Sequence, residues 1–389
     1  MNITLLLIFI LKSTIVLGSM WRKEPPPYPW KFPIPVYTYA KTQQSSISRV
    51  AKQIEENTCV RFTFPYDPFT TGQGIVIKFG DKCTTYVVGP ETPYGSHPNT
   101  IYFNEDKCPY KDFLFQRFFH IILGQVPENL RRDRDKYIAM HWENIKSGFT
   151  ALFFEKEYDY YPYSKFDYDY GSITHMWNYD YAESRNMPVF SSRNYSNIYG
   201  QTFGQLYHIS FHDYKKLNYI LCRNECRKKK FPKIKCYHGG YQNPNKCDEC
   251  KCPSEFKGKH CEEYVNVEGY ILGGVVWYSC PAINLIANSN WQGYHISSRR
   301  HCFIYIKAYT EMNKVLLKVI QYKGRGIFTC HPENSIEVKY KADKGLTGLC
   351  LCLFGNTPFD VESEDDLITI HYYEREAYNH IKFEYKSIQ

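Results

Sequence analysis

The chain has 389 residues, more than one hydrophobic core usually organises, so two or three domains are expected. A hydrophobic content of 43% excludes an intrinsically disordered chain. A formal charge of +8 spread over this length is no nucleic-acid footprint, and nucleic acid is not expected as a partner.

The chain opens with an apolar run, TLLLIFI, and reaches the small residues Gly18 and Ser19. That pattern predicts a secretory signal peptide over residues 1–19. Lys12 interrupts the run, and the uncharged stretch before it is too short to span a bilayer. No later stretch is apolar enough to do so, and a secreted, extracellular product without a membrane span is expected. The 15 cysteines fit an oxidising compartment, and their odd number leaves one thiol without a partner. Asn194-Tyr195-Ser196 is an acceptor sequence for N-glycosylation.

Cysteine spacing divides the rest. Residues 20–223 hold only Cys59, Cys83, Cys108 and Cys222, which predicts a domain with a real core. Along it, in order, lie Tyr28-Pro29-Trp30, Val36-Tyr37-Thr38, Asn57-Thr58-Cys59-Val60-Arg61-Phe62, Asp133-Arg134-Asp135 with Tyr137, and Trp142-Glu143-Asn144-Ile145. Tyr170-Gly171-Ser172-Ile173, Gly204-Gln205, Ser210-Phe211 with Asp213, and Leu217-Asn218 follow. This collinear set resembles the catalytic domain of the astacin zinc metalloproteases. The resemblance implies an α+β, metzincin-type domain, bridges Cys59–Cys222 and Cys83–Cys108, and zinc as the family's cofactor.

In such an enzyme two histidines four apart on one helix face, in His-Glu-x-x-His, bind zinc with a third histidine beyond a glycine turn. The glutamate moves the proton of the metal-bound water. The matching stretch here, residues 116–128, reads QRFFHIILGQVPE. Anchored on Gly124 and Glu128, it puts Arg117, Ile121 and Pro127 at the ligand positions and Phe118 at the glutamate. Anchored on Cys108, it puts Gln116, His120 and Val126 at the ligands and Arg117 at the glutamate. Either way at most one histidine remains and the glutamate is gone, so no metal and no retained catalytic residue are expected. The methionine turn of the family has also changed: Thr174 stands at its Met and Met176 at its Tyr. About ten residues separate the signal peptide from Trp30, too few for the family's zinc-capping propeptide. Glu128 matches the glutamate that pairs with the mature amino terminus, which predicts that a terminal amine near residues 19–21 reaches it.

Cys226, Cys236, Cys247, Cys250, Cys252 and Cys261 are dense, the mark of a small module stapled because its core is inadequate. With Gly258, residues 224–262 resemble an EGF-like module, which implies Cys226–Cys247, Cys236–Cys250 and Cys252–Cys261. The basic run 227–230 reads as a solvated loop, against a polyanion site or a protease cut site. From Cys280 on, β-type runs such as 302–306, 314–320 and 367–373 alternate with turns and predict a sandwich. Residues 280–389 resemble a CUB domain, with Cys280–Cys302 and Cys330 joined to Cys350 or Cys352.

There is no His-Glu pair anywhere, no Gly-x-Ser-x-Gly and no phosphate-binding glycine loop. His208 and His212 read as flanking a helix start at Ser210 in preference to a metal pair. The expected fold is therefore α+β: an astacin-like domain, an EGF-like module and an all-β CUB sandwich. The expected function is that of a pseudoprotease that binds an extracellular protein or peptide through its cleft, its EGF-like module or its CUB domain. The rival is an active metalloendopeptidase with atypical ligands such as His120 and His175.

Overall fold

The structure is a computed structural model. It describes residues 30–85, 87–90, 96–108, 111–154, 165–268, 270–272, 275–277, 280–297, 299–326, 329–374 and 378–389. The signal-peptide reading and Tyr28-Pro29 lie outside these residues.

The first half is a mixed α+β unit. Strands β1 (Ile34–Thr38), β2 (Phe62–Thr63), β3 (Ile75–Phe79), β4 (Thr84–Thr85) and β5 (Asn99–Phe103) form one sheet in the order β2-β1-β3-β5-β4. All neighbours run parallel except the edge pair β4–β5. Ile75, Val76 and Ile77 are all buried, the continuous apolar run of a strand covered on both faces. Helix α1 (Gln44–Asn57) buries Ile47, Val50, Ala51 and Ile54, a single stripe at helical spacing. Helix α2 (Lys111–Ile122) buries Leu114, Phe115, Phe118, Phe119 and Ile122. Both stripes join Ile34, Val36, Ile77 and Phe103 in one core. The chain leaves α2 through Gly124, whose φ of +112° suits a residue without Cβ.

Beyond α2 regular structure is sparse. Strands β6 (Ile138–Met140) and β7 (Phe190–Ser192) pair, and α3 (Ser196–Tyr199) is one turn. Helix α4 (Phe211–Leu217) starts at a capping box in which Ser210 Oγ accepts from Asp213 N–H and the Asp213 carboxylate accepts from Ser210 N–H. It runs on to Cys222, bridged to Cys59, so the two ends of this half are tied.

The rest is disulfide-rich and mostly β. A short helix, α5 (Glu225–Lys228), precedes β8 (Tyr241–Gln242), β9 (Cys250–Lys251), β10 (Phe256–Lys257) and β11 (Glu263–Tyr264). Bridges Cys226–Cys247, Cys236–Cys250 and Cys252–Cys261 staple this segment. After the hairpin β12 (Tyr270–Leu272) and β13 (Val275–Trp277) come two stacked sheets. One orders β14 (Ile283–Ala287), β16 (Arg300–Ala308), β22 (Leu367–Glu374), β18 (Ile336–Lys339) and β19 (Leu349–Leu351). The other orders β15 (Gln292–Ser297), β23 (His380–Ile388), β17 (Lys314–Lys323) and β20 (Phe354–Gly355), with β21 (Phe359–Glu362) also on β17. Val315, Leu317 and Val319 alternate inward on β17, as Ile381, Phe383 and Tyr385 do on β23, the period-2 pattern of a sandwich face. Cys280–Cys302 and Cys330–Cys352 close this region, and Cys350 is a buried free thiol.

The sandwich docks on the first half through a shared apolar cluster, in which Tyr170, Ile198, Tyr199 and Phe203 join Val338, Tyr340, Leu349 and Leu351, and through polar contacts. Lys215 Nζ lies 2.6 Å from Asp343 Oδ2, and Tyr199 Oη 3.1 Å from Tyr340 Oη. Thr347 N–H donates to Asp169 Oδ1 at 3.3 Å, and His212 N–H to Gly345 O at 3.1 Å. Among the described residues no helix is long and apolar enough to cross a membrane.

Candidate functional site

Helix α2 buries most of its surface but leaves Phe113, Arg117 and Ile121 half-buried. These are spaced by four, so they form one row on the helix face. Arg117, in the middle of the row, reaches the turn at residues 172–176, and the ring of Phe113 lies 6.5 Å from that of Tyr207. Arg117 Nε–H donates to Ile173 O at 2.6 Å and Nη2–H to His175 O at 2.8 Å. The guanidinium thus clasps the two carbonyls on either side of Thr174. Burial pulls the Arg117 pKa down to about 10 against the attraction of Asp180 and Asp213, so the group stays charged at neutral pH. Among the described residues no carboxylate lies within ion-pair range of it.

The other candidate positions point elsewhere. Phe118 is 5% exposed and packs in the sheet core. Gln116 is buried against α1, its Nε2–H donating to Gln53 Oε1 at 2.5 Å. His120 is fully buried, its Nδ1 2.9 Å from Gln125 Oε1 and its ring 5.5 Å from that of Tyr214. Its Nε2 has no hydrogen-bond partner, and burial holds its pKa below the ordinary value. Val126 and Pro127 are buried beyond the Gly124 turn. Of the two ligand sets, only Arg117 and Ile121 share the row.

These residues do not fit zinc. A tetrahedral site needs at least three imidazole, thiolate or carboxylate donors. Arg117 has no acceptor lone pair and carries its own positive charge. Ile121 and Pro127 offer no side-chain ligand atom. Among the described residues no group of three or more His, Cys, Asp or Glu is placed to hold a metal ion. His208 and His212 do not converge: His208 Nδ1 lies 3.3 Å from Glu333, and His212 Nδ1 3.3 Å from Asp343.

The turn is held from below by a buried polar network. Asp213 Oδ1 accepts from Ser172 Oγ–H at 2.6 Å and from Gln125 Nε2–H at 2.5 Å, and Oδ2 from Ile173 N–H at 2.8 Å. Thr174 is buried, its Oγ1 3.0 Å from Ser172 Oγ, and Met176 N–H donates to Asn129 Oδ1 at 3.2 Å. His175 uses both ring nitrogens, Nδ1 at 2.8 Å from Met176 O and Nε2 at 2.8 Å from Tyr168 Oη. These partners assign the proton to Nδ1 and leave Nε2 as the acceptor.

Glu128, just beyond the turn at Gly124, has its oxygens occupied. Oε1 accepts from Arg131 Nη1–H at 2.7 Å and Asp169 N–H at 2.9 Å, and Oε2 from Lys216 Nζ–H at 2.6 Å. The terminal amine expected at this carboxylate would come from residues outside the described ones; the ammonium found there belongs to Lys216, in α4. Nothing in the local sequence marked Lys216, which lies 88 positions from Glu128. Asn194 is exposed, as a glycosylation acceptor must be.

The family model that describes the astacin peptidases matches residues 20–222. The zinc metalloproteinase dpy-31 of Haemonchus contortus is 26% identical over 373 residues, 91% of this chain and 62% of that protein. The protein of the same name from Caenorhabditis elegans is 26% identical over 336 residues, 84% of this chain and 53% of its own. The zinc metalloproteinase nas-27 of Caenorhabditis elegans is 24% identical over 389 residues, 92% of this chain and 85% of its own. The chain thus spans between half and two thirds of the length of these dpy-31 relatives. Among solved structures, high choriolytic enzyme 1, a hatching enzyme zinc-protease from Oryzias latipes, matches 48% of this chain and 86% of its own at 21% identity, with a TM-score of 0.41.

Proposed function

The chain belongs to the astacin family of peptidases, and from that premise we propose that it is a catalytically inactive member that works outside the cell by binding. One observation carries the loss of catalysis. The helix row that reaches the methionine-turn stretch through Arg117 presents that cation and the alkyl group of Ile121 where the family's zinc chemistry needs neutral donors. With no metal there is no Lewis acid and no activated water, and Phe118 cannot carry a proton.

The seven disulfides and the secreted character of the sequence support an extracellular site of action. In the same proposal residues 224–262 act as an EGF-like module and 280–389 as a CUB domain, both suited to contacts with an extracellular protein. In the astacin-like half the proposed binding surface is the side of α2 that carries Phe113, Arg117 and Ile121, along which a peptide segment can lie.

The rival, a metalloendopeptidase using His120 and His175, would have to break existing bonds. His175 already uses both nitrogens, and His120 sits in the core on the far side of Gln125. Elemental mass spectrometry on the purified secreted protein, with cleavage of a broad peptide library, decides between them. Far less than one zinc per chain and no cleavage by folded protein is the expected result. About one zinc with chelator-sensitive cleavage would establish the rival.

A further inference from the structure

We infer that Arg117 is a ligand-binding residue: the cleft receives a carboxylate of a bound peptide on its guanidinium. The inference rests on the binding role proposed above and names what that role recognises.

Three observations converge on Arg117. It is a desolvated cation, and its Nε and Nη2 are fixed by the carbonyls of Ile173 and His175 at 2.6 and 2.8 Å. A guanidinium has five N–H donors, and among the described residues only these two bonds are made. None of its nitrogens is among the buried atoms left without a partner, so Nη1, which makes no bond among the described residues, keeps some exposure on the half-buried side of α2. Second, no carboxylate of the described residues forms an ion pair with it. Asp180 and Asp213 act on it only from a distance; Asp180 accepts from Trp177 N–H at 3.2 Å, and Asp213 is taken by Gln125, Ser172 and Ile173. A partly desolvated cation with no carboxylate in ion-pair contact gains from an incoming anion. Third, Phe113 and Ile121 flank it on the same row, and Trp177 is exposed just past His175.

Arginine held rigidly by two fixed acceptors presents its remaining edge in one orientation, the geometry that suits a planar carboxylate. The apolar flanks select a carboxylate set among large apolar side chains. A free C-terminus and an internal Asp or Glu both supply that chemistry.

The test uses the full secreted chain and fluorescent N-acetylated hexapeptides rich in Leu and Phe. One pair ends in a free carboxylate or a carboxamide. A second pair, amidated at the end, carries an internal Glu or Gln. Tight binding of the first acid points to a C-terminus, and of the Glu peptide to a side chain. In either case the acid is expected to bind at least tenfold more tightly than its neutral twin. Arg117→Gln should erase that ratio, and Arg117→Lys should restore part of it. Circular dichroism identifies a variant that merely fails to fold, and the wild-type acid-to-amide ratio needs no variant. Peptide binding with no preference for acids overturns this inference and leaves the binding role standing. No binding of any peptide up to millimolar concentration overturns both this inference and peptide binding by the astacin-like half.

Discussion

Lys216 Nζ lies 2.6 Å from Glu128 Oε2, and both side chains are fully buried. Arg131 completes the carboxylate's shell at 2.7 Å and is itself forked onto Asp133 at 2.9 Å. The cluster ties α4 to the segment after α2 and, through Asp169 N–H, to the residue that precedes Tyr170-Gly171-Ser172. Breaking a buried pair by removing one partner leaves the other charge uncompensated, at a cost of about 3–5 kcal/mol. Lys216→Met is therefore expected to lower the unfolding free energy by about that much in urea denaturation. A change below ~1 kcal/mol would mean that water or another cation replaces the ammonium.

The same cluster sets an acid limit. Burial pushes the Glu128 carboxyl up, but Lys216 and Arg131 together outweigh it and hold it at about 2, against an ordinary value of 4.5. A depressed carboxyl stabilises the fold above its unfolded pKa and loses that contribution as pH falls through its folded pKa. Stability should thus decline between about pH 4.5 and about pH 2. His175 acts in a higher window. Its burial lowers its pKa from 6.5 to about 4, despite the bond to Met176 O. There the unfolded chain binds the proton that the folded chain refuses, so stability also falls as pH drops from 6.5 towards 4. Urea midpoints from pH 7 to pH 3 should show both declines, with the lower one reduced in Lys216→Met. A midpoint that does not move over this range would contradict both assignments.

Ser210 makes two bonds with one hydroxyl. Its Oγ accepts from Asp213 N–H at 3.0 Å as the cap of α4 and donates to Asp169 Oδ2 at 2.7 Å. Loss of a cap alone costs about 1 kcal/mol. Stranding a buried acceptor adds roughly 1–3 kcal/mol. Ser210→Ala should therefore cost about 2–4 kcal/mol, and Ser210→Thr much less. If Ser210→Ala costs no more than an ordinary cap, Asp169 has found another donor.

Local patterns carried much of the architecture and little of the site's wiring. The alternation of Val315, Leu317 and Val319 writes the strand period expected over 314–320, while the helical stripe Ile47, Val50, Ala51 and Ile54 went unread in the sequence. The α+β character came with the resemblance to the astacin domain, and the disulfide-rich, mostly β second half from cysteine density and the β-type runs after Cys280. Residues 116–128 could be aligned in two ways because composition does not say which helix face looks into the cleft. In the fold Phe113, Arg117 and Ile121 are the half-buried row of α2 and His120 is buried, a distinction that composition alone does not carry. Lys216 and Gln125 were invisible for another reason. Their partners Glu128 and Asp213 come together only when α4 packs beside the turn, a contact between segments 88 residues apart in both cases.

Cys350 is the odd one among the 15 cysteines, and it lies with the Cys330–Cys352 bridge in one buried cluster. It sits in the middle of β19, one residue before the strand ends and two before Cys352. Burial raises the thiol's pKa well above the ordinary value, and the nearby Glu337 carboxylate adds to it. Only the thiolate is nucleophilic, so Cys350 should neither alkylate nor exchange with the neighbouring bridge in the folded chain. Iodoacetamide at pH 8 is expected to leave native protein unlabelled and to modify one cysteine per chain after denaturation without reductant. Peptide mapping should place that label on Cys350. A label on Cys352 would reassign the bridge to Cys330–Cys350, and rapid labelling of native protein would show that the cluster opens to solvent far more readily than its burial implies.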